Sequence, residues 1–407
     1  MNRSFTKSYF FQRLTEIFLP LSSWLIITLP LWLSPFHPAV VGYFIIAFDL
    51  YFFYKSTKTV YRAVISYQKI ELFKRINFAK KIEKKINNHP LYHFVIIPNY
   101  KEPVYKLKQT INALIKNDYP QKIYLVLAFE KREKEAKQKA KTLIKEYKNY
   151  FQEIFATYHQ LLPNEVEGKA SNQTYAAKFI DGFLKQKKID EKNALITICD
   201  ADSILPKNYF SYLTDQYLKD KNRYFHFYWG PVLLYNNFWQ LPLFVRIQAT
   251  LSSILRLAFL AEKDNLIQIS TYSTSFWLLK QVNFWDTDII PEDWHIYLQA
   301  FFKFGKKVKT LPLYTIVNGD AVYSGSLIKT LINRYQQEKR WAWGASDIAY
   351  ALKKLFVTPH IPFFVKLNKI LFLFETHFLW STSFFILTIS ASIPPLINPI
   401  FKRTVMG

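Results

Sequence analysis

The sequence has 407 residues, so it is long enough for more than one domain and for a large buried core. Half of the residues are hydrophobic, 18% are aromatic, and the formal net charge of +24 suggests an anionic partner such as nucleic acid, an anionic lipid or a phosphorylated substrate. The single cysteine, Cys199, excludes a disulfide within the chain, so the sequence gives no sign of an oxidising compartment.

Two apolar runs near the start of the chain predict a transmembrane hairpin in residues 1–62. The first run covers Ile17 to Leu33 without a charge, and the second covers Ala39 to Tyr54 with Asp49 as its one acid. Each is near the lower end of the roughly 17–25 residues that a spanning helix needs. The short, uncharged linker SPFHP joins them.

Basic residues on both sides of the pair favour this hairpin over two buried core helices. By the positive-inside rule, both flanks then lie in the cytoplasm. No small-residue cleavage site follows the first run, so we do not expect a removed signal peptide. The flanking basic residues are Arg3, Lys7 and Arg13 before the pair and Lys55, Lys58, Arg62 and Lys69 after it.

The middle of the chain, residues 90–350, alternates strand-like and helix-like segments. Continuous apolar runs such as HFVIIP are typical of buried strands, and the segments between them have apolar residues at helical spacing. This alternation predicts right-handed crossovers and an α/β fold with a mostly parallel sheet, in which ligands bind at the carboxyl ends of the strands. Strands are predicted at 93–98, 122–129, 153–159 and 194–201, and helices at 102–117, 131–150 and 171–186.

Charged and small polar residues follow each predicted strand. PNYKEP follows the first, Glu130 the second, EGKASN the third, and Asp200 and Asp202 the fourth. Two carboxylates one residue apart lie on the same side of an extended chain and raise each other's pKa, so something must compensate them. A divalent cation held by hard oxygens would do so, while Lys169 and the first amides of the next helix attract phosphate. An isolated Asp-x-Asp is more often a turn or a cap, but its place at the sheet edge favours the metal site.

The segment that follows the fourth strand has two interpretations. Residues 235–262 form a long aromatic, amphipathic stretch with Arg246 and Arg256 among apolar residues. This composition predicts either a helix that lies at the membrane surface or a core helix of the soluble domain. A strand is predicted next, at 268–279.

Two further segments complete the domain. Glu292 and Asp293 open a predicted helix, where acidic residues suit the helix dipole and can cap the helix. The stretch QQEKRWAWGASD then has Arg340 and Trp341 in a lysine-rich helix, where such residues are normally surface and anchor positions.

A last apolar region, residues 360–407, predicts an interfacial or transmembrane segment with one span between Ile370 and Leu396. Glu375 and His377 lie near the start of that span. Ionisable groups inside a membrane are functional candidates, but at the edge of a span we favour a structural role for both.

Six motifs taken in order resemble those of one enzyme family. They are IPNYKEP, a carboxylate after the second strand, GKASN, DAD, PEDW and QEKRW, flanked by apolar spans. The set resembles the membrane-integrated branch of family 2 glycosyltransferases, which includes cellulose, hyaluronan and chitin synthases. The most specific element is Gln-x-x-Arg-Trp, at Gln337, Arg340 and Trp341. The resemblance covers residues 92–344 and the membrane layout, and it implies a GT-A fold and inversion at the anomeric carbon.

The resemblance also implies a role for each motif residue. Asp202 would ligate a divalent cation, Mg²⁺ or Mn²⁺, and Asp293 would be the general base. Gln337 and Arg340 would meet the diphosphate, and Trp341 would line the acceptor site. The donor nucleotide would be held by Tyr100, Glu102, Glu130, Lys169 and Asp200, and the further candidates are Glu292 and His295.

Some positions depart from the family pattern. Lys101 replaces the usual asparagine of the first motif, Glu130 replaces aspartate, and Trp294 and His295 follow the Glu-Asp pair. One predicted span follows the catalytic part, whereas polymer-secreting synthases usually carry several. A complete translocation channel is therefore not expected from this pattern alone, and three explanations stay open: the chain ends early, it works with partner subunits, or it transfers sugars without secreting a polymer.

We expect a membrane-bound, metal-dependent inverting glycosyltransferase, a hexosyltransferase acting in polysaccharide synthesis. It would be a multi-pass protein of the cell's inner or plasma membrane with a cytoplasmic catalytic domain. Its partners would be a nucleotide-diphosphate sugar, a saccharide or lipid-linked acceptor and membrane lipids, without nucleic acid. The rival in the same class transfers one sugar to polyprenyl phosphate. A basic membrane-tethered nucleic-acid binder leaves the acidic residues unexplained, and the complete motif set argues against a catalytically inactive scaffold.

Overall fold

The computed structural model describes residues 9–88 and 90–399, and the chain divides into two compact units. We call residues 9–61 with 342–399 the helical unit and residues 62–341 the α/β unit. The α-helices in the described residues are α1 Tyr9–Leu33, α2 Pro38–Lys74, α3 Phe78–Asn88, α4 Val104–Ile115, α5 Ala136–Tyr147, α6 Lys169–Lys187, α7 Tyr209–Lys219, α8 Leu243–Phe259, α9 Phe276–Gln281, α10 Glu292–Phe304, α11 Leu327–Ala342, α12 Ser346–Val357, α13 Phe363–Thr388 and α14 Ile393–Ile397.

Three helices, α1, α2 and α13, are long and apolar enough to cross a membrane, with 25, 37 and 26 residues. In the helical unit, α1 packs on α12 and α13, and the hydroxyls of Ser23 and Ser381 lie 3.0 Å apart. Glu375 accepts hydrogen bonds from Tyr51 and, at 2.8 Å, from Lys55 Nζ. This acidic residue therefore has partners within the helical unit, as the structural role predicts.

The α/β unit is built on a seven-stranded sheet with the order β3-β2-β1-β4-β7-β5-β8, beside a small parallel pair, β6 and β9. Strands β1 to β4 are mutually parallel, β7 pairs antiparallel with β4 and β5, and β8 pairs parallel with β5. The prediction of an α/β fold with a mostly parallel sheet is confirmed. The strands are β1 Tyr92–Asn99, β2 Tyr124–Glu130, β3 Glu153–His159, β4 Ala194–Ile198, β5 His226–Trp229, β6 Val232–Leu233, β7 Tyr272–Ser275, β8 Lys309–Pro312 and β9 Val317–Asn318.

Helices cover both faces of the parallel part of this sheet. All seven residues of β2 are buried, as expected for a parallel strand between two helical layers. Phe94 and Val95 on β1 point to opposite faces. Phe94 packs with Phe183 of α6, whereas Val95 shares a core cluster with Leu107 of α4 and Leu143 of α5. The sheet is therefore a rigid support for residues that follow its strands.

Most predicted elements differ from the structure by one to three residues at their ends, and two differ by more. The helix predicted at 131–150 begins only at Ala136. The strand predicted at 268–279 is wrong over its second half, because β7 ends at Ser275 and α9 begins at Phe276. Ser275 Oγ accepts a hydrogen bond from Leu278 N at 3.1 Å, so the serine caps the new helix.

Helix α8 occupies the centre of the predicted amphipathic stretch at 235–262. It buries Val245, Ala249 and Arg256, while Phe244 and Leu251 are 70% and 62% exposed. A helix with one buried and one exposed apolar face suits an apolar neighbour on its exposed side. The location of α8 at a membrane surface stays a prediction.

Candidate active site

Several predicted site residues lie at the carboxyl edge of the main sheet, whereas Gln337, Arg340 and Trp341 lie on α11. Strands β1, β2 and β4 are parallel neighbours, so their carboxyl ends share one edge. Glu130 ends β2, while Asp200 and Asp202 follow β4. Burial raises the pKa of Glu102, in the loop after β1, and the negative charge of Asp200 raises it further. The edge therefore gathers carboxylates from three segments of the sequence.

Lys169, the first residue of α6, joins Asp200 to α10. Its Nζ lies 2.5 Å from Asp200 Oδ1 and 3.0 Å from Glu292 Oε1. Burial acts to raise the pKa of Asp200, but the charge and hydrogen bond of Lys169 outweigh it and hold that pKa below its ordinary value. Burial acts against the charged form of Lys169, yet the two carboxylates raise its pKa well above the usual range. Lys169 therefore compensates Asp200.

Ser270 connects Asp200 to Asp293. Its backbone N–H donates to Asp293 Oδ2 at 2.8 Å, and its hydroxyl donates to Asp200 Oδ2. Ser270 has a φ of 68°, a left-handed conformation that is uncommon outside glycine and that tends to occur at functional sites. Trp294 N donates to the other oxygen of Asp293 at 2.9 Å. Two uncharged amides therefore fix the orientation of the Asp293 carboxylate.

The two acidic residues at the start of α10 have different surroundings. Burial raises the pKa of both Glu292 and Asp293 above the ordinary value of each carboxyl group. Glu292 is ion-paired with Lys169, whereas the contacts of Asp293 Oδ1 and Oδ2 are with backbone N–H groups. A carboxylate with a raised pKa is a better proton acceptor near neutral pH. Asp293 is therefore the better placed of the two as a base.

Asp202 lacks a neutralising partner within the part of the chain that the structure describes. No cation there lies within ion-pair distance of its carboxylate, and Lys106 Nζ lies 2.5 Å from Asp320 instead. Burial and then the charges of Asp200 and Asp320 raise the pKa of Asp202 to about 7.

This uncompensated carboxylate fits a divalent cation. Mg²⁺ is commonly held by one or two protein carboxylates, with water and substrate phosphates as the other ligands. No group of three or more acidic, histidine or cysteine side chains suited to a metal occurs among the described residues. The chain's contribution to a cation would therefore centre on Asp202.

Glu130 lies in a second polar cluster at the same sheet edge. It is 3% exposed, and its Oε2 lies 3.2 Å from His159 Nδ1. The other ring nitrogen of His159 lies 2.9 Å from Glu165 Oε2. Arg132 stacks on the ring of Tyr100, 4.2 Å from its centroid. Two of the residues predicted to hold the donor nucleotide, Tyr100 and Glu130, thus both contact Arg132, with Tyr100 37% exposed and Glu130 buried.

The His159 cluster predicts a pH dependence of stability. Burial acts to lower the pKa of His159, but hydrogen bonds and charges from Glu130 and Glu165 raise it overall. A raised pKa in the folded state stabilises the protein below the unfolded pKa of about 6.5, and this contribution is lost as pH rises through the folded pKa. We expect His159→Gln to lower the thermal unfolding midpoint more at pH 6 than at pH 9.

The measurement is thermal unfolding of the full chain in detergent at both pH values. His360→Gln is the matched control, because His360 is exposed. Equal destabilisation by His159→Gln at pH 6 and pH 9 would contradict the charged cluster.

The Gln-x-x-Arg-Trp residues lie near the end of α11 and are organised by Arg334. Arg334 donates to Gln337 Oε1, and its guanidinium stacks on Trp341 at 4.8 Å from the ring centroid. Trp341 is 40% exposed. Arg340 is exposed and has no ion pair among the described residues. The motif therefore presents a free cation and an aromatic face.

Arg256 on α8 is a buried cation that faces the acidic edge. It is 8% exposed, and its Nη1 donates to Val232 O at 2.7 Å. Burial and then the nearby charge of Arg334 lower its pKa to about 10, while Asp200 and Asp293 act in the opposite direction. No carboxylate in the described residues lies within ion-pair distance of Arg256. Arg334 is ion-paired with Glu338, so Arg256 is the buried guanidinium beside this edge whose charge a bound anion would compensate.

Among the predicted site residues, the structure brings together Lys169, Asp200, Asp202, Glu292 and Asp293. It adds Ser270, Arg256 and Arg334, to which the sequence assigned no role in the site. Two arginines in the apolar stretch of α8, Arg246 and Arg256, were the available signal for Arg256. Ser270 gave no signal, because its role depends on its backbone conformation. The further candidate His295 lies with its Nε2 3.0 Å from Asp286 Oδ2.

Comparison with known proteins identifies the family. The model of glycosyl transferase family group 2 matches residues 195–401, about half of the chain. The comparison with curated proteins found no match.

Two solved structures are similar to the chain. One is the mannosyltransferase PcManGT from Pyrobaculum calidifontis in complex with GDP-Man and Mn²⁺, with a TM-score of 0.42 and 12% identity over 89% of this chain and 86% of that one. The other is 2-C-methyl-D-erythritol 4-phosphate cytidylyltransferase (IspD) from Francisella tularensis, with a TM-score of 0.31 and 11% identity over 60% of this chain and 99% of that one.

The family match includes β4, the Asp-x-Asp pair, α10 with Glu292 and Asp293, and the Gln-x-x-Arg-Trp motif. The resemblance to family 2 glycosyltransferases is thus confirmed at the level of the family, and the mostly parallel α/β core has the character of a GT-A fold. The chain belongs to glycosyl transferase family group 2.

Proposed function

We propose that the protein is a membrane-bound, inverting glycosyltransferase that uses a nucleotide-diphosphate sugar, with a hexosyl group transferred to a saccharide or lipid-linked acceptor. One observation carries the proposal. Lys169, Asp200, Ser270 and Asp293 form one hydrogen-bonded network, next to Asp202, whose carboxylate is uncompensated. In this arrangement Asp293 is the proton acceptor, and the phosphate groups of the donor have a separate position beside Lys169 and Asp202.

Asp293 acts as the general base in the proposed mechanism. A sugar hydroxyl is a weak nucleophile, so a carboxylate must take its proton as the new glycosidic bond forms. The amides of Ser270 and Trp294 hold Asp293 in one orientation while its oxygens keep further acceptor capacity. A single displacement with one base inverts the anomeric carbon. Glu292 stays ion-paired with Lys169 and positions that lysine.

The donor is held from two sides of the edge. Tyr100 offers a ring for the nucleoside, and Asp200, held by Lys169 and Ser270, contacts the nucleotide. The N-cap residue of α6 is Gly168, which has no side chain to cap the helix, so the first backbone N–H groups of α6 can bind phosphate. A divalent cation at Asp202 would supply positive charge to the leaving diphosphate. Lys169 provides a further fixed cation.

Positive charge on the chain would stabilise the leaving group. We assign this role to Arg340 of the motif together with Arg256 and Arg334, and Gln337 would donate a hydrogen bond from its side-chain amide to the same diphosphate. Guanidiniums bind diphosphate oxygens in bidentate geometry, which an ammonium cannot do. Trp341 would offer its flat face to an acceptor sugar.

Substitution of Arg256 tests this assignment. We expect Arg256→Lys to lower the affinity for the nucleoside diphosphate product by at least about tenfold, because a hydrogen bond to a charged group contributes roughly 1.5–3 kcal/mol. The measurement is isothermal titration of the purified chain. Arg246→Lys, on the same helix, is the matched control. Equal affinities of the two variants would contradict a role for Arg256.

The membrane part of the proposal rests on α1, α2 and α13, which are long and apolar enough to span a bilayer. We propose a multi-pass protein of the inner or plasma membrane with a cytoplasmic catalytic domain. The cellulose, hyaluronan and chitin synthase branch, and a role in polysaccharide synthesis, belong to the proposal because of Arg340 and Trp341. Transfer of one sugar to polyprenyl phosphate is the second candidate, favoured by the single long apolar helix among the described residues after the motif.

A panel of radiolabelled nucleotide sugars, added to purified membranes with Mg²⁺ or Mn²⁺, tests the proposal. We expect one donor to give labelled product together with released nucleoside diphosphate. Labelled product that partitions into the lipid phase indicates a polyprenyl acceptor, and labelled product in the aqueous phase indicates a saccharide acceptor. Turnover of no donor, together with nucleic-acid binding that weakens steeply with salt, would instead support the nucleic-acid binder.

A further inference from the structure

The candidate active site is rich in carboxylates, so it does not explain the net charge of +24. A cavity of about 440 Å³ in the α/β unit has the opposite character. Pockets for small ligands commonly have about 300–1,000 Å³, so this one has the size for a small molecule.

This basic cavity, defined by Lys84, Lys192, Arg223 and Tyr224 with their neighbours, lies at the amino edge of the sheet. Its lining includes Leu91, just before β1, and Asn193, just before β4. Asp200 and Asp202 follow the other end of β4. The length of the strand therefore separates the basic cavity from the candidate active site.

Four cations and no acid line the basic cavity, among the described residues. Lys85 is partly neutralised, because its Nζ lies 3.6 Å from Asp215. Lys84 and Lys192 are exposed and have no ion pair within the described part of the chain. Like charges around one cavity repel each other, and a bound anion removes that repulsion.

Arg223 is ordered by two aromatic rings. Its guanidinium lies 5.2 Å from the ring centroid of Tyr224 and 5.7 Å from that of Tyr217. The Tyr217 hydroxyl in turn donates to Lys192 O at 3.1 Å. A guanidinium fixed in this way loses less freedom when it binds an oxyanion, and it presents paired N–H donors.

We propose that the basic cavity is a separate ligand site that binds a phosphate monoester or diphosphate group. Arg223, Lys84 and Lys192 bind the phosphate oxygens, and Tyr224 provides a flat surface beside them. The ligand is either a soluble phosphorylated molecule or a lipid with a phosphate headgroup, since both carry the same chemistry. Its binding is independent of the donor sugar.

Equilibrium dialysis of radiolabelled inorganic pyrophosphate tests the site. The full chain is held in phosphatidylcholine nanodiscs with EDTA, so that divalent cations do not bring pyrophosphate to Asp202. We expect saturable binding that falls by at least about tenfold in Lys192→Gln/Arg223→Gln, because two charge-assisted contacts are lost. Unchanged binding in this variant, or no binding to the unmodified chain, would overturn the proposal.

Two controls make the result specific. Lys141→Gln/Lys145→Gln removes the same charge from exposed positions of α5 and should leave binding unchanged. Arg256→Lys alters the proposed diphosphate position of the active site, so it should lower only the pyrophosphate binding that survives in Lys192→Gln/Arg223→Gln. An equal loss in Lys141→Gln/Lys145→Gln, or a loss confined to Arg256→Lys, would overturn the assignment to the basic cavity.

Nanodiscs that contain anionic phosphatidylglycerol distinguish the two sources of phosphate. If a lipid headgroup occupies the basic cavity, these nanodiscs compete with pyrophosphate in the unmodified chain. If pyrophosphate affinity is unchanged there, the ligand is a soluble phosphorylated molecule. Both results support the site and identify its ligand.

Discussion

We expect Asp293→Asn to abolish sugar transfer while the donor still binds. The substitution keeps the shape of the side chain and an acceptor oxygen for the amide of Ser270 or Trp294, but it removes the proton acceptor. General-base catalysis contributes about 10²–10⁴-fold to the rate, so turnover should fall by at least that order. Single-turnover kinetics with the donor identified by the nucleotide-sugar panel, and donor titration without acceptor, measure the two quantities separately.

The control must exclude a purely structural role for Asp293. Its carboxylate lies in the first turn of α10, where the helix dipole favours a negative charge by only about 0.3–1 kcal/mol, and asparagine keeps an acceptor oxygen for one of the two amides. The thermal unfolding midpoint of Asp293→Asn should therefore stay close to that of the unmodified chain. Asp288→Asn makes the same chemical change at an exposed position five residues earlier and should keep full activity. If the Asp293→Asn variant keeps more than about a tenth of the turnover, Asp293 is not the general base.

The parallel part of the sheet could be predicted because its strands are continuous apolar runs. The prediction for β3 agrees with both of its ends, Glu153 and His159, and the run between them is rich in β-prone residues. The strand predicted at 268–279 failed because apolar, β-prone residues at Phe276 to Leu279 form a helix. The local signal was Ser275, a capping residue whose hydroxyl accepts from Leu278 N. Capping chemistry therefore overrode strand propensity at that point.

The site could be predicted as far as local sequence carries the chemistry. Asp200 and Asp202 stand directly after a strand, so the edge of the sheet locates them. Which carboxylate would be compensated could not be read from the sequence, because that depends on Lys169 reaching Asp200 from α6. Ser270 depends on a left-handed backbone and a partner 70 positions away. Long-range contacts of this kind leave no periodic pattern.

The unequal surroundings of the two aspartates lead to the second large effect, at the proposed cation position. Lys169 neutralises Asp200, so a cation is needed mainly at Asp202, where burial and neighbouring charges raise the pKa to about 7. We expect Asp202→Asn to abolish the dependence of donor affinity on Mg²⁺ or Mn²⁺. Donor affinity in the presence of metal should fall by at least about 100-fold, because even residues that only support the metal ligands contribute about 10–100-fold to metal affinity.

Donor binding measured by equilibrium dialysis with metal and with EDTA provides a readout that does not depend on turnover. Asp320→Asn is the matched control, since it removes one negative charge from the same edge but leaves the Asp202 carboxylate in place. If Asp202 is a direct ligand of the cation, the Asp202→Asn variant binds donor with the same affinity in the presence of metal and in the presence of EDTA. The Asp320→Asn variant then still binds donor more tightly with metal than with EDTA. If both variants lose the response to the same extent, the effect belongs to the total charge of the edge and Asp202 is not the ligand. If the unmodified chain binds donor equally with and without EDTA, the proposed mechanism operates without a cation, and Lys169, Arg256 and Arg340 carry the charge of the leaving group.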